Sequence, residues 1–281
     1  MPDIYFLRDR FVGLENATVS VNDRGFQFGD SVYEVMRTYR GRIFRLEAHL
    51  DRFERSAAAL EIMIPYTREK LADTIAESHR RSGYPESKIY MQLTRGTAER
   101  GHAYAEGLIP TFLITVLELH PVPAPMIEKG VAVITLEDIR WGRCDIKSTN
   151  LLPNVMAQQK ARRAAAFEAV MIRNGKVTEG AVSNFFMIRN ERLVTSPVGQ
   201  GILSGVTRDA VIGLARELKI PVEERDIAAE EIVSADELFL SGTTIEIVPA
   251  VTVDGKPVGS GLPGPLTRRL MKEFRIMTRV F

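Results

Sequence analysis

Apolar residues recur along this chain in two rhythms, and the rhythm predicts the elements. Ile4 to Leu7 and Thr18 to Val21 read as short strands, and Val32 to Tyr39 as a longer one ending at Gly41-Arg42. From Leu46 the spacing lengthens. Leu46, Leu50, Phe53, Ala57 and Leu60 fall on one buried stripe of a helix. Pro65 closes that neighbourhood, and Thr67 ahead of Glu69 and Lys70 opens a second amphipathic helix to about Ser82, stopped by Gly83-Tyr84-Pro85. Ile89 to Thr94 and Thr111 to Leu119 return to strand spacing. The polar loop between them, Arg95 to Pro110, is long for a plain connection, and such loops are often functional.

Pro121-Val-Pro-Ala-Pro125 carries a proline at every second position, which predicts a stiff extended linker. We place the domain boundary there: a smaller N-terminal α/β domain over 1–120, the linker over 121–125, and a larger C-terminal α/β domain over 126–281. In the second domain Val131 to Leu136 reads as a strand and Asn154 to Ala166 as a helix. Ala169 to Arg173 and Lys176 to Glu179 form a hairpin closed by Asn174-Gly175. Val182 to Ile188 and Arg192 to Thr195 make a further pair, followed by a helix from Val206 to Leu218 and strands at Glu237 to Leu240 and Ile245 to Val253. With a two-residue turn, Ile172 faces Val177 and Val170 faces Glu179, so Glu179 shares the apolar face of that hairpin. Two readings of Glu179 follow: an inward carboxylate that requires a cation or several donors, or a frayed strand end that bends to water.

Composition narrows the classes. The 281 residues are 45% hydrophobic and 26% charged, as in an ordinary globular protein, and the length suits two domains. A formal net charge of +1 provides no overall field to hold a polyphosphate backbone, so no nucleic-acid partner is expected. The single Cys144 cannot form a disulfide within the chain, and four histidines leave little material for a zinc site, so no metal is expected. No stretch approaches the roughly 18 apolar residues that span a bilayer, and no basic region leads into an apolar run at the N-terminus. The expectation is a cytoplasmic protein with no membrane partner.

Several residues carry candidate chemistry, each beside a plainer reading. Lys147, in Asp145-Ile-Lys-Ser-Thr-Asn150, stands between a strand region and a helix, where α/β folds commonly place sites; alone, it is a solvated turn lysine. Gly201-Ile-Leu-Ser-Gly-Val-Thr-Arg-Asp209 runs into a helix, where Thr207 can cap and free first-turn N–H groups bind anions. Ser241-Gly-Thr-Thr244 is a second segment of that kind, or an ordinary turn. Arg100-Gly101-His102 in the long loop offers a planar guanidinium and an imidazole to a carboxylate. Cys144, with no catalytic partner, reads as a buried structural thiol.

Taken together these segments resemble the fold-type IV pyridoxal-phosphate enzymes, most closely the D-amino-acid aminotransferases of the branched-chain aminotransferase-like superfamily. The resemblance rests on Asp23-Arg-Gly-Phe-Gln-Phe-Gly-Asp30 with Val32-Tyr-Glu-Val35, and on Leu93-Thr-Arg-Gly-Thr97 with Arg100 and His102. It continues in order through Asp138-Ile-Arg-Trp-Gly-Arg-Cys-Asp-Ile-Lys-Ser148, Asn150-Leu-Leu152, Val177-Thr-Glu-Gly180 with Ser183-Asn184, Gly205-Val-Thr-Arg-Asp209 and Thr243-Thr244.

The resemblance implies a two-domain α/β fold with pyridoxal 5'-phosphate between the domains. It makes Lys147 the lysine that carries the cofactor as an internal Schiff base and then moves the substrate proton, and Glu179 the partner of the pyridine nitrogen, whose positive charge answers the inward carboxylate. Arg52, Val206, Thr207 and Thr243 fall to the cofactor phosphate, Leu203 to the ring face, and Tyr33, Arg100 and His102 to the substrate α-carboxylate. In the D-amino-acid enzymes the Arg and His come from the partner subunit, so a homodimer is implied. The implied activity is ping-pong transfer of an amino group between a D-amino acid, such as D-alanine, and 2-oxoglutarate or pyruvate. The alternatives on this scaffold are branched-chain L-amino-acid or (R)-amine transamination and an aminodeoxychorismate-type lyase; a noncatalytic small-molecule-binding domain is a third class. The chain departs from the pattern at Ser31, where a glycine is usual, at Ala181 and Val182, where serines are usual, and at Ala98 and Glu99 in the loop.

Overall fold

The computed structural model describes residues 2–280. The chain divides into two compact units, residues 2–120 with Ile146–Asn150, and Pro121–Asp145 with Leu151–Val280.

In the first unit, strands β1 (Ile4–Leu7), β2 (Arg10–Val12), β3 (Ser31–Tyr39), β4 (Arg42–Ile43), β5 (Ser87–Thr94) and β6 (Thr111–Glu118) form an antiparallel sheet ordered β2-β1-β6-β5-β3-β4. Three helices accompany it: α1 (Arg24–Phe28), α2 (Leu46–Ala59) and α3 (Arg68–Ser82). The α2 stripe behaves as its spacing predicts, with Leu50, Phe53 and Ala57 buried against Val32 and Met36 of β3 and Ile89 and Met91 of β5. Asp23 caps α1 by accepting from the Gly25 N–H at 2.8 Å. The strand expected at Thr18 to Val21 does not form; Val19 and Val21 are exposed there, so the segment has no apolar face to bury.

The sequence reading assigned Lys147 to the C-terminal domain, whereas Ile146–Asn150 packs with the first unit. Backbone pairing explains the difference. The Tyr33 N–H donates to the Lys147 carbonyl at 2.9 Å, the Thr149 N–H donates to the Ser31 carbonyl at 3.1 Å, and Ile146 joins the first unit's core. The start of β3 thus captures five residues from far along the sequence.

The second unit holds β7 (Val131–Glu137), β8 (Glu168–Arg173), β9 (Lys176–Gly180), β10 (Asn184–Arg189), β11 (Arg192–Thr195), β12 (Val222–Glu224), β13 (Glu237–Gly242), β14 (Glu246–Val253) and β15 (Lys256–Pro257). Their order is β12-β11-β10-β13-β14-β7-β8-β9, with β15 on β14. The β14–β7, β7–β8 and β11–β12 pairs are parallel, so the sheet is mixed. Its helices are α4 (Ala124–Glu128), α5 (Leu152–Arg163), α6 (Val206–Glu217) and α7 (Pro265–Val280). The proline-rich linker is therefore not wholly extended: Pro125 sits in the first turn of α4, where its missing N–H costs no helical bond.

The hairpin between β8 and β9 turns at Asn174 and Gly175, both at positive φ (51° and 73°), as a two-residue turn of this hand demands. Its register departs from the expected one. Ile172 faces Val177, but then β9 gains one residue and Val170 faces Gly180 instead of Glu179. Thr178 and Glu179 together oppose Met171, a β-bulge that re-aims the carboxylate.

Candidate active site

In the first unit the site begins at β3, whose alternation places Val32, Glu34 and Met36 toward α2 and leaves Tyr33 on the other face. A carboxylate among those apolar neighbours needs cations, and α2 supplies two groups one turn apart, His49 and Arg52. Arg52 grips Glu34 with both arms, Nε to Oε1 at 2.7 Å and Nη2 to Oε2 at 2.9 Å, while His49 Nδ1 lies 2.8 Å from Oε2. Burial alone would raise the Glu34 pKa; Arg52 and His49 hold it well below the usual carboxylate range. Burial pushes His49 down, and the Arg52 and Lys147 charges push it further, against the pull of Glu34.

Lys147 is half-buried between buried Ile146 and Ser148, not solvated as a turn lysine would be. Its N–H donates to Ser56 Oγ at 3.1 Å, and its Nζ stands 4.3 Å from the centre of the Tyr33 ring, which stacks on Tyr90 at 5.7 Å. Tyr33, Arg52 and Lys147 thus gather in the first unit. Ser31, the departure from glycine, hydrogen-bonds Thr149. Arg100 and His102 are exposed, on a loop beside Phe28: the Arg100 guanidinium lies 4.8 Å from the Phe28 ring centre, and the His102 ring 5.6 Å.

Glu179, Leu203, Val206, Thr207 and Thr243 belong to the second unit. Glu179 is buried and resolves the two sequence readings in favour of the inward one. Its donors come from its own chain. Arg140 Nη1 donates to Oε1, Asn184 Nδ2 to Oε2 at 3.0 Å, and the Leu203 N–H is shared between both oxygens at 3.2 Å. The counter-charge that the resemblance assigned to a pyridinium is already provided by Arg140, which Asp138 grips through Nε and Nη2, each at 2.9 Å. Burial would raise the Asp138 pKa, but Arg140 brings it down to about 2. Asn184 also donates to the Leu203 carbonyl at 3.0 Å, so one amide ties the carboxylate to the segment leading into α6.

Thr207 does not cap that helix. Gly205 is the N-cap residue and makes no side-chain cap bond, and Thr207 lies buried inside the first turn. A Cβ on Gly205 would run into Asn184 Oδ1, so the close approach requires glycine. Thr243 lies in the turn after β13, the strand against which α6 packs.

Sequence reasoning missed Glu34, His49, Asp138, Arg140, Asn184 and Glu168 as functional candidates. The last begins β8 and is fully buried; Oε1 accepts from the Val182 N–H at 2.7 Å and Ser183 Oγ at 2.9 Å, while Oε2 has no hydrogen-bond partner among the described residues. Burial pushes its pKa up to about 7 despite those donors. Ala181 packs in a cluster with Ala157, Ala161 and Met171, whereas Val182 is exposed and nothing in the structure explains the valine there. Cys144 is buried, its pKa raised by burial, and its Sγ donates to the Trp141 carbonyl. No helix among the described residues is long and apolar enough to cross a membrane.

Each unit holds groups of the kinds that suit a phosphorylated pyridine cofactor: the first a half-buried primary amine, the second a buried carboxylate and a helix start whose N–H groups take no side-chain cap. Known proteins agree with that chemistry. The chain is 42% identical over 265 residues to a D-alanine aminotransferase of Bacillus licheniformis, covering 93% of this chain and 92% of that protein. It is 38% identical over 269 residues to that of Staphylococcus haemolyticus, covering 96% and 95%. In structure it resembles the branched-chain amino acid aminotransferase of Escherichia coli (TM-score 0.92, 29% identity, 98% of this chain and 94% of that one). It also resembles the branched-chain amino acid aminotransferase of Thermobaculum terrenum in its PLP-bound holo-form (TM-score 0.85, 27% identity, 98% and 93%). Residues 31–253 match the class IV amino-transferases, and the chain belongs to that family.

Proposed function

We propose that the chain transfers an amino group between a D-amino acid, such as D-alanine, and 2-oxoglutarate or pyruvate in a ping-pong cycle, using pyridoxal 5'-phosphate. The observation that carries the D preference is the Arg100 and His102 pair, held beside Phe28 on an exposed loop. A guanidinium and an imidazole in that position receive an α-carboxylate, and where the carboxylate docks decides which hand of Cα–H meets the base. The sequence relatives named D-alanine aminotransferases support the same reading.

When bound, the cofactor supplies an electron sink for the charge left at the substrate Cα. Lys147 Nζ holds the cofactor and moves the Cα proton, a task that needs an amine able to shed its proton near neutral pH, which a lysine permits and an arginine does not. Glu179 bonds the ring nitrogen, kept rigid by Arg140, Asn184 and the Leu203 N–H. Leu203 covers the ring face. The phosphate falls to Arg52, whose guanidinium orientation Glu34 sets, and, in the second unit, to the first-turn N–H groups of Val206 and Thr207 with Thr243. Tyr33 assists Arg100 and His102 with the carboxylate. The exposure of Arg100 and His102 fits service to a second subunit, and we place the active enzyme as a cytoplasmic homodimer.

The solved neighbours named branched-chain aminotransferases favour a second reading, L-amino-acid transamination on the same scaffold. The two separate in one assay: purified protein with D-alanine and 2-oxoglutarate, beside L-alanine and L-leucine, following 2-oxo acid formation. D-alanine turnover well above L-leucine turnover is expected. Brisk L-leucine turnover with none from D-alanine would overturn the D reading and leave the cofactor chemistry standing.

A further inference from the structure

The loop that carries Arg100 and His102 runs from Gly96 to Pro110 with little regular structure, and residues 99–107 are exposed. An exposed loop binds a small carboxylate well only if its side chains are held before the ligand arrives, because ordering them on binding costs affinity. Its anchor comes from α1. Arg24 is 4% exposed, and its planar fork spends three donors at once. Nε donates to Asp30 Oδ2 at 2.8 Å, Nη1 to the Gly101 carbonyl at 2.7 Å and Nη2 to the His102 carbonyl at 3.0 Å. Those two carbonyls belong to the peptide planes on either side of the His102 Cα. Fixing both planes fixes the backbone dihedrals of His102 and so the direction of its side chain.

The rest of α1 serves the same end. Phe28 stands one turn beyond Arg24, on the same helix face, and is the ring beside which both Arg100 and His102 lie. The Arg24 N–H donates to the Gly96 carbonyl at 2.8 Å, holding the loop's entry. Asp30 holds Arg24 from behind and is itself shared with Arg95 Nε at 2.8 Å. Burial would raise the Asp30 pKa, but the two arginines lower it.

We propose that Arg24 is the positioning residue of the substrate-carboxylate trap: by clamping the peptides on both sides of His102 it sets the trap's geometry without touching substrate. The proposal rests on the reading of Arg100 and His102 given above. Lysine cannot replace Arg24, since a point charge cannot hold Asp30 and two carbonyls in one plane.

The test compares wild type, Arg24→Lys, Arg24→Met and His102→Ala as holoenzymes, by D-alanine kinetics and by amide hydrogen exchange across residues 99–104. Arg24→Lys keeps the charge beside Asp30 and serves if Arg24→Met does not fold. For either Arg24 variant the expected result is faster exchange in the loop and a KM for D-alanine raised on the order of tenfold, with kcat within about threefold, the signature of lost binding common to ground and transition states. Arg24→Lys combined with His102→Ala should cost less than the product of the single effects, because one acts through the other. Unchanged exchange, a kcat loss at constant KM, or full additivity in the double variant would each overturn the proposal. If His102→Ala leaves KM unchanged while loop exchange rises in Arg24→Lys, the carboxylate reading itself fails, and the clamp then positions a loop with another task.

Discussion

Two carboxyls, Glu34 on β3 and Glu168 on β8, are equally cut off from water, and their pKa values move in opposite directions. Burial pushes both upward. At Glu34 the push is overcome by a bidentate guanidinium and an imidazole, so the group stays ionised. At Glu168 the donors are the Val182 and Ser183 peptide N–H groups and the Ser183 hydroxyl, with no cation beside it among the described residues, and the pKa rises to about 7. Burial therefore does not settle the charge of an acid in this protein; the arrival of a cation does. In the first unit the ionised acid orients the Arg52 guanidinium. In the second, Glu168 holds the turn of Val182 and Ser183, just beyond Glu179 in the chain.

Removing the charge at Glu34 should break this contrast most strongly. Glu34→Gln removes the carboxylate that Arg52 grips with both arms and is expected to destabilise the protein by about 3–5 kcal/mol in denaturant unfolding, with weaker cofactor retention. A loss below about 1 kcal/mol would mean that the pair does not organise the site.

Glu168→Gln sharpens the contrast with a smaller and pH-dependent effect. The folded pKa of Glu168 lies above its ordinary value of 4.5, so the folded chain binds the extra proton, and the stability tied to it is whole below about pH 4.5 and lost as pH rises through 7. The span corresponds to roughly 3 kcal/mol. A glutamine mimics the neutral acid, so melting of wild type and Glu168→Gln should nearly coincide at pH 5 and diverge toward pH 8, with the variant the more stable. Glu34 has the opposite sign: its contribution is present above about pH 4.5 and is lost only in strong acid, so the Glu34→Gln deficit should stay constant over that range. Parallel wild-type and Glu168→Gln profiles would contradict the raised pKa of Glu168.

The same contrast explains what could be read from the sequence. The α2 stripe and the Asn174-Gly175 turn are local signals and form as spacing dictates. Glu34 escaped notice because an acid within an apolar alternation looks like an ordinary strand residue until α2 brings two groups against it. The face of Glu179 depended on a register that the bulge shifts, and its cation, Arg140, lies 39 residues away in sequence. α7 had a readable stripe in Leu270, Phe274 and Thr278, yet was not identified; its first-turn N–H groups of Leu266 and Thr267 are taken by Glu237, a partner no local rule supplies. Lys147 was legible as a candidate, but its place beside β3 was not, because that place is set by backbone bonds to Ser31 and Tyr33.

The central claim is that Lys147 is the amine that carries the cofactor. Borohydride reduction of the holoenzyme followed by proteolysis and mass spectrometry tests it most directly. The account predicts the phosphopyridoxyl mass on the peptide containing Lys147, and its loss in Lys147→Ala. The same mass fixed to a different lysine, or no mass fixed at all, would contradict it.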